Sequence, residues 1–285
     1  SLSSSIFIIC IKIYIKKILN FYIQESFKFN KRILIESNAF STYLFFNSLI
    51  TVIITQLDKI LLANNISNEE FSYFIISNNL AYYILVAVTP IISAIFPRLS
   101  ELYQENKLEK LKKTLLDVSE LIGLFVIPGC VILFFSSNIF LEVFFNENIS
   151  QHLNQIFKYL IIGYGLNAIS LLIYNLYTCT GRVKIFTIFN CIYLIFYLPA
   201  LIFLLPKYGY SLLICSWLTL NSIYVFIMTN IVFNQILNEV RFQWFAVTII
   251  KPFLISIIAI LLSKYLLAGN FNNLFSQICI YLSIL

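Results

Sequence analysis

The sequence predicts an all-α, polytopic transmembrane helical bundle, and three observations carry that prediction. The 285 residues are 60% hydrophobic and only 11% charged. Mean hydropathy is +0.89, whereas a soluble domain averages about 45–50% apolar and roughly 25% charged residues. Uncharged runs long enough to cross a bilayer, about 20 residues at 1.5 Å each, recur along the whole chain. The short segments between those runs alternate between lysine-rich and lysine-poor.

Seven complete spans are expected, at about 39–57, 71–97, 121–141, 159–181, 185–206, 208–238 and 245–267. Two partial spans, about 1–19 and 273–285, lie at the termini. Both ends read as cut. Residue 1 is Ser with no signal-peptide grammar after it, and Leu285 stops inside an apolar run. A fragment of a longer protein is therefore expected.

Lys and Arg orient the helices. Residues 16–38 carry Lys16, Lys17, Lys28, Lys31 and Arg32, and 98–113 carry Arg98, Lys107, Lys110, Lys112 and Lys113. Arg182 and Lys184, then Arg241 and Lys251, continue the basic set. The intervening connections hold only Lys207 and Lys264, so the count is fourteen against two. The positive-inside rule places the basic set in the cytoplasm. The net charge of +6 is spread over several loops, which argues topology and not nucleic-acid binding. Within the stretch Arg98–Lys113, Leu99, Leu102, Leu108 and Leu111 have helical spacing and Glu109 and Lys113 stand at i,i+4. The pattern fits an interfacial helix on the inner leaflet, or a lever between two moving bundles.

Polar side chains in spans either glue helices together or line a wet path. In the first complete span Ser41, Ser48, Thr51, Thr55 and Asp58 share one face. Asn79, Tyr82, Thr89 and Ser93 do so in the second, and Asn167, Ser170, Tyr174 and Tyr177 in the one beginning near 159. Dry packing and a shared hydrated cavity both fit these stripes. Asp58 favours the cavity, because a carboxylate in hydrocarbon needs a partner or water. Lys59 reads as a cation snorkelling to the outer interface, with substrate contact as the alternative. Asp117 and Glu120 read as interfacial carboxylates, with ion coupling at Glu120 as the alternative. His152 is expected to be solvated in an outer loop. Pro90, Pro128 and Pro199 fall inside spans, where proline kinks a helix. The six cysteines (10, 130, 179, 191, 215 and 279) lack metal-ligand spacing and read as small buried hydrophobes. No metal or other cofactor is expected.

A family resemblance rests on several segments taken in order. They are Gln56-Leu-Asp-Lys-Ile-Leu-Leu62, Pro90 to Glu101 (PIISAIFPRLSE), Asn175 to Lys184 (NLYTCTGRVK) and Leu198 to Tyr210 (LPALIFLLPKYGY). Over about residues 36–235 the chain resembles the O-antigen, capsule and teichuronic-type flippases of lipid-linked oligosaccharides. These share a superfamily with the multidrug and toxin extrusion transporters and the lipid II flippase. The resemblance implies two six-helix lobes joined by a cytoplasmic linker. On that map 1–38 is the last helix of a truncated N-terminal lobe plus the linker, 39–233 the C-terminal lobe, and 234–285 additional truncated helices. The first five helices, and half of the presumed cavity, would be missing.

The implied function is export of undecaprenyl-diphosphate-linked oligosaccharide for O-antigen, lipopolysaccharide, capsular or exopolysaccharide synthesis. It would take place in a bacterial cytoplasmic (inner) membrane by alternating access. Implied partners are the bilayer, the lipid-linked substrate, a coupling proton or sodium ion, a polysaccharide polymerase and a chain-length regulator. Ser48, Thr51, Thr55, Asp58, Lys59, Asn79, Arg98, Asn167 and Tyr174 are candidates for the substrate path, Asp58 and Glu120 for ion coupling. Cation-coupled drug export on the same fold is the alternative. An oligosaccharide polymerase or glycosyltransferase is an alternative of another class, although the longest outer connection, 142–157, has no Lys or Arg and no paired Asp to do chemistry. A non-enzyme is expected. A membrane scaffold without transport is the remaining option.

Overall fold

The structure is a computed structural model that describes residues 31–266, with side chains described from 38 to 261 apart from Glu239's neighbour at 238. The two expected terminal spans lie outside the described residues. The chain divides into two compact units at Thr42, and the unit beginning at Tyr43 contains the bundle.

Seven helices are long and apolar enough to cross a membrane. They are α1 (Lys31–Ala63), α2 (Asn68–Gln104), α3 (Leu108–Phe135), α5 (Glu147–Cys179), α6 (Lys184–Tyr208), α7 (Tyr210–Ile236) and α8 (Arg241–Leu261). A short helix, α4 (Ser137–Glu142), caps the end of α3. No strand occurs among the described residues. Expectation and structure agree on the number and order of complete spans.

The helices run past the uncharged stretches. α2 has 37 residues, about 55 Å at 1.5 Å each, against a hydrocarbon core of about 30 Å. It begins at Ser67, whose side chain accepts from the Glu70 amide, with Glu69 and Glu70 in the first turn. Both features suit the positive end of a helix dipole. It then passes through Pro90 and Pro97 to Gln104.

The expected interfacial helix at 98–113 is thereby corrected. Arg98–Gln104 is the end of α2, and Leu108 starts α3. Between them lies a tight turn in which Asn106 adopts a left-handed φ of 54°. Leu99, Leu102 and Leu111 point into the bundle at 1%, 0% and 0% exposure. Leu108, the fourth leucine of the pattern, is 44% exposed, and the run is divided between two helices, so the apparent single stripe is not one helix face. The local charge pairs are Arg98 with Glu101 and Lys107 with Glu105, both at 2.8 Å. The hydrogen bond from Lys107 holds the Glu105 carboxyl below its usual range.

α5 is the central post. It packs on α2, α3, α4 and α7, and it carries the buried residues of two stacked cores. One core, towards the basic loops, gathers Leu102, Leu115, Leu172, Phe186, Phe233 and Trp244. The other, towards the acidic connection, gathers Leu62, Phe74, Leu153, Phe157, Leu205 and Leu213. Glycines let helices approach closely, both at the post and at the α3–α8 contact. A Cβ at Gly163 would strike the Trp217 indole, and one at Gly123 of α3 would strike the Thr248 backbone of α8. Small residues serve this purpose in membrane helices, where packing rather than hydrophobic burial drives association.

α8 is fixed to α3 along its inner half. The fully buried Trp244 donates from Nε1 to Ser119 Oγ at 2.8 Å. Lys112 pairs with Glu239 at 3.5 Å, and Lys251 pairs with Glu120. A π-helical turn at Ala246–Ile250 faces Gly123. Outward, Phe125, Phe196, Phe203 and Phe253 are 46–76% exposed, as expected where the surroundings are acyl chains and not water.

Candidate functional site

A cavity of about 700 Å³ opens among α1, α2, α5, α6 and α7. Its wall is unusually polar for a membrane interior. Asn47, Asn78, Asn79, Asn167 and Asn190 contribute amides, and Tyr82, Tyr164, Tyr174 and Tyr224 contribute phenols. Amides within the spans carry this architecture, since each needs a partner that hydrocarbon cannot supply.

The partners are one another. Asn47 donates from Nδ2 to Tyr174 Oη at 3.2 Å and accepts at Oδ1 from Asn190 Nδ2 at 2.9 Å. Tyr224 donates its hydroxyl to Asn190 Oδ1. The four residues tie α1, α5, α6 and α7 together on one side of the cavity. Tyr224 begins a π-helical turn, Tyr224–Met228, a distortion often found at functional positions. On another wall Tyr164 donates to Asn78 Oδ1 at 2.9 Å, and Asn167 donates to Asn221 Oδ1 at 2.6 Å.

The hydroxyls of α1 behave differently. Ser48 donates to Leu44 O at 2.9 Å, Thr51 to Asn47 O at 2.8 Å and Thr55 to Thr51 O at 2.9 Å. Each proton is used on the helix's own backbone, so each oxygen presents lone pairs to the cavity.

Seven of the expected path residues line this cavity: Ser48, Thr51, Thr55, Lys59, Asn79, Asn167 and Tyr174. Asp58 is not among the lining residues. Half-buried, it turns towards α6, where Tyr197 Oη lies 3.5 Å from Oδ2, and its Oδ1 accepts from the Lys59 amide at 2.6 Å. The one-residue step from Asp58 to Lys59 rotates a side chain by about 100°, which separates the carboxylate from the cavity face. Arg98 sits at the far end of α2, exposed and paired with Glu101. Glu120 pairs with Lys251 and contributes to the attachment of α8.

Other expected positions also fall elsewhere. Tyr177 is buried and donates to Gln235 Oε1 at 2.6 Å. Thr89 donates to Leu85 O at 2.8 Å and, like Ser93, stays outside the cavity. His152 belongs to the start of α5 and not to a loop, with its ring stacked on Tyr73 at 5.0 Å. Cys130, Cys179, Cys191 and Cys215 are free thiols; Cys215 is exposed and the other three are partly buried. Cys10 and Cys279 lie outside the described residues. Among the described residues no cluster of His, Cys, Asp or Glu could hold a metal ion.

Stripe reasoning missed Asn47, Asn78, Asn190, Trp217 and Tyr224. Asn190 stands in an otherwise apolar stretch and that isolation was the available signal, whereas Asn47 adjoins Ser48 and Asn78 adjoins Ser77 and Asn79.

Comparison with known proteins places the chain. The polysaccharide biosynthesis protein family matches residues 2–154. A Shigella flexneri protein described as "Putative O-antigen transporter" is 24% identical over 179 residues, which are 62% of this chain and 42% of that protein. The chain thus spans less than half the length of this relative. No solved structure matches. Because the family match covers more than half of the 285 residues, the chain belongs to the polysaccharide biosynthesis protein family.

Proposed function

We propose that this chain is part of a translocase that moves an undecaprenyl-diphosphate-linked oligosaccharide from the inner to the outer leaflet of a bacterial inner membrane. The observation that carries the reading is the amide- and hydroxyl-lined cavity of about 700 Å³ inside a bundle whose outer surface is apolar. Sugar hydroxyls cannot cross hydrocarbon without partners. The cavity would offer such partners between the spanning helices, while a polyprenyl tail would remain in the surrounding lipid.

The work is binding and re-exposure, with no covalent chemistry, so the protein acts as a transporter and not as an enzyme. In the domain reading that goes with this, 39–233 is one lobe, 1–38 leads into it, and 234–285 adds helices to its flank. Alternating access would arise as this lobe rocks against a second one. Lys59, which lines the cavity, is the candidate cation for the diphosphate. Asp58, held beside Tyr197, is the candidate for a coupling proton or sodium ion. The name of the Shigella flexneri relative and the family membership support the transport reading.

The test is complementation in a strain that lacks the complete gene. Thr51→Phe with Ser170→Phe fills the cavity, and surface polysaccharide is expected to fall while lipid-linked units accumulate. Normal surface polysaccharide at normal protein abundance would refute the proposal. Asp58→Asn addresses coupling separately: unchanged export and unchanged ion dependence would remove Asp58 from the mechanism.

A further inference from the structure

We infer that this cavity selects uncharged sugar units, rich in hydroxyl and acetamido groups, over sugars that carry carboxylates. The inference rests on the transport reading and narrows its substrate class.

The charge inventory of the wall comes first. Among the described lining residues Lys59 is the only ionised group. That cation is the group the transport reading assigns to the diphosphate, which leaves none over for a sugar carboxylate. A uronate deeper in the cavity would leave bulk water and meet amides and phenols but no counter-charge. A carboxylate withdrawn from bulk water into such a wall loses hydration without gaining a counter-charge, whereas a hydroxyl or acetamido group keeps its hydrogen bonds.

The neutral inventory points the same way. Gln56 and Asn79 line the cavity and their amides make no hydrogen bond to other described residues. Each offers two donors and an acceptor, which is the complement of an acetamido group. Thr51 and Thr55 present lone pairs only, because their protons are committed to the helix backbone. Acceptors without free protons match sugar hydroxyls as donors and repel carboxylate oxygens. Tyr82, 46% exposed and edge-on to Tyr164 at 5.8 Å, supplies a ring face for the apolar side of a pyranose. A wall built for anions would carry Arg or Lys at these depths. This one carries amides.

The experiment has two arms. In cells, the complete gene is placed in flippase-deficient hosts that build either a neutral or a uronate-containing lipid-linked repeat. Surface display of the neutral glycan is expected to exceed that of the uronate glycan by about tenfold, equivalent to about 1.4 kcal/mol. Gln56→Arg with Asn79→Arg is expected to shift the ratio towards the uronate. Equal display of both, or preference for the uronate, overturns the selectivity. Display of neither sinks the transport reading itself. The second arm then judges selectivity on binding alone, by calorimetry on the purified protein in nanodiscs with tri-N-acetylchitotriose and trigalacturonate. Tighter binding of the neutral trimer upholds the inference. Equal binding, tighter trigalacturonate binding, or no binding of the neutral trimer overturns it.

Discussion

The Asn47–Asn190 contact can be tested by a double-mutant cycle whose outcome follows from counting bonds. Asn190→Leu removes the bond it donates to Asn47 and the one it accepts from Tyr224. Asn47→Leu removes the bond it donates to Tyr174 and the same shared bond from Asn190. The double variant therefore loses three distinct bonds, whereas the two single variants lose two each. Side-chain hydrogen bonds between membrane helices average about 0.6 kcal/mol and reach about 1.7 kcal/mol. Each single variant is expected to cost about 1.2 kcal/mol and the double variant about 1.8 kcal/mol, a coupling of about 0.6 kcal/mol at that average. Steric terms from the two leucines enter both the singles and the double, so they largely cancel in the coupling. Reversible unfolding in mixed micelles, followed by tryptophan fluorescence, measures all four corners. Strict additivity, with zero coupling, would show that water and not Asn47 satisfies Asn190, and this one bond between α1 and α6 would lose its physical basis.

Further outcomes are expected elsewhere in the molecule. Trp244→Phe keeps most of the buried ring and loses the bond to Ser119, costing about 1 kcal/mol, whereas Trp244→Ala should cost about 3–5 kcal/mol; equal thermal shifts in detergent would contradict this. Gly163→Val should force the Trp217 indole into the cavity, so export falls while membrane insertion measured by blotting stays normal. Lys251→Met removes an ion pair whose partners are half-exposed and about one-third exposed, and a change in unfolding free energy under about 1 kcal/mol is expected. In a cysteine-free background, Asn65→Cys should react with an impermeant maleimide from outside the cell and Glu105→Cys only after permeabilisation; the reverse would invert the topology.

Much of the fold was legible because hydrocarbon imposes a simple rule. Every backbone group in a span must bond within its own helix, so an uncharged run of about 20 residues announces itself whatever its neighbours are. The seven spans could be counted for that reason. Their ends could not, since Lys110, Lys112 and Lys113 sit on the first turns of α3, beyond the apolar core, where helix continues at no desolvation cost. The leucines at 99, 102 and 111 are all buried, but on two helices joined by a turn, and what covers them is the bundle and not the membrane surface. Periodicity reports that a face is covered, and it does not report by what.

The site divides along the same line. Ser48, Thr51, Thr55, Asn79, Asn167 and Tyr174 could be grouped from helical spacing, since residues on one face stay together in any packing. Which of them share a cavity depended on how α1, α2 and α5 are rotated about their axes, and only tertiary contacts decide that. Asp58 shows the limit most clearly. The sequence marks it as a carboxylate needing company, while the rotation of α1 and the position of Tyr197 determine that its company lies off the cavity wall. Asn47, Asn190 and Tyr224 come from three helices up to 177 positions apart in chain order, and they become a unit only once the bundle closes. Helix number and membrane residence are thus local consequences of hydrophobicity. The chamber's chemistry is a consequence of helix rotation, which long-range packing sets.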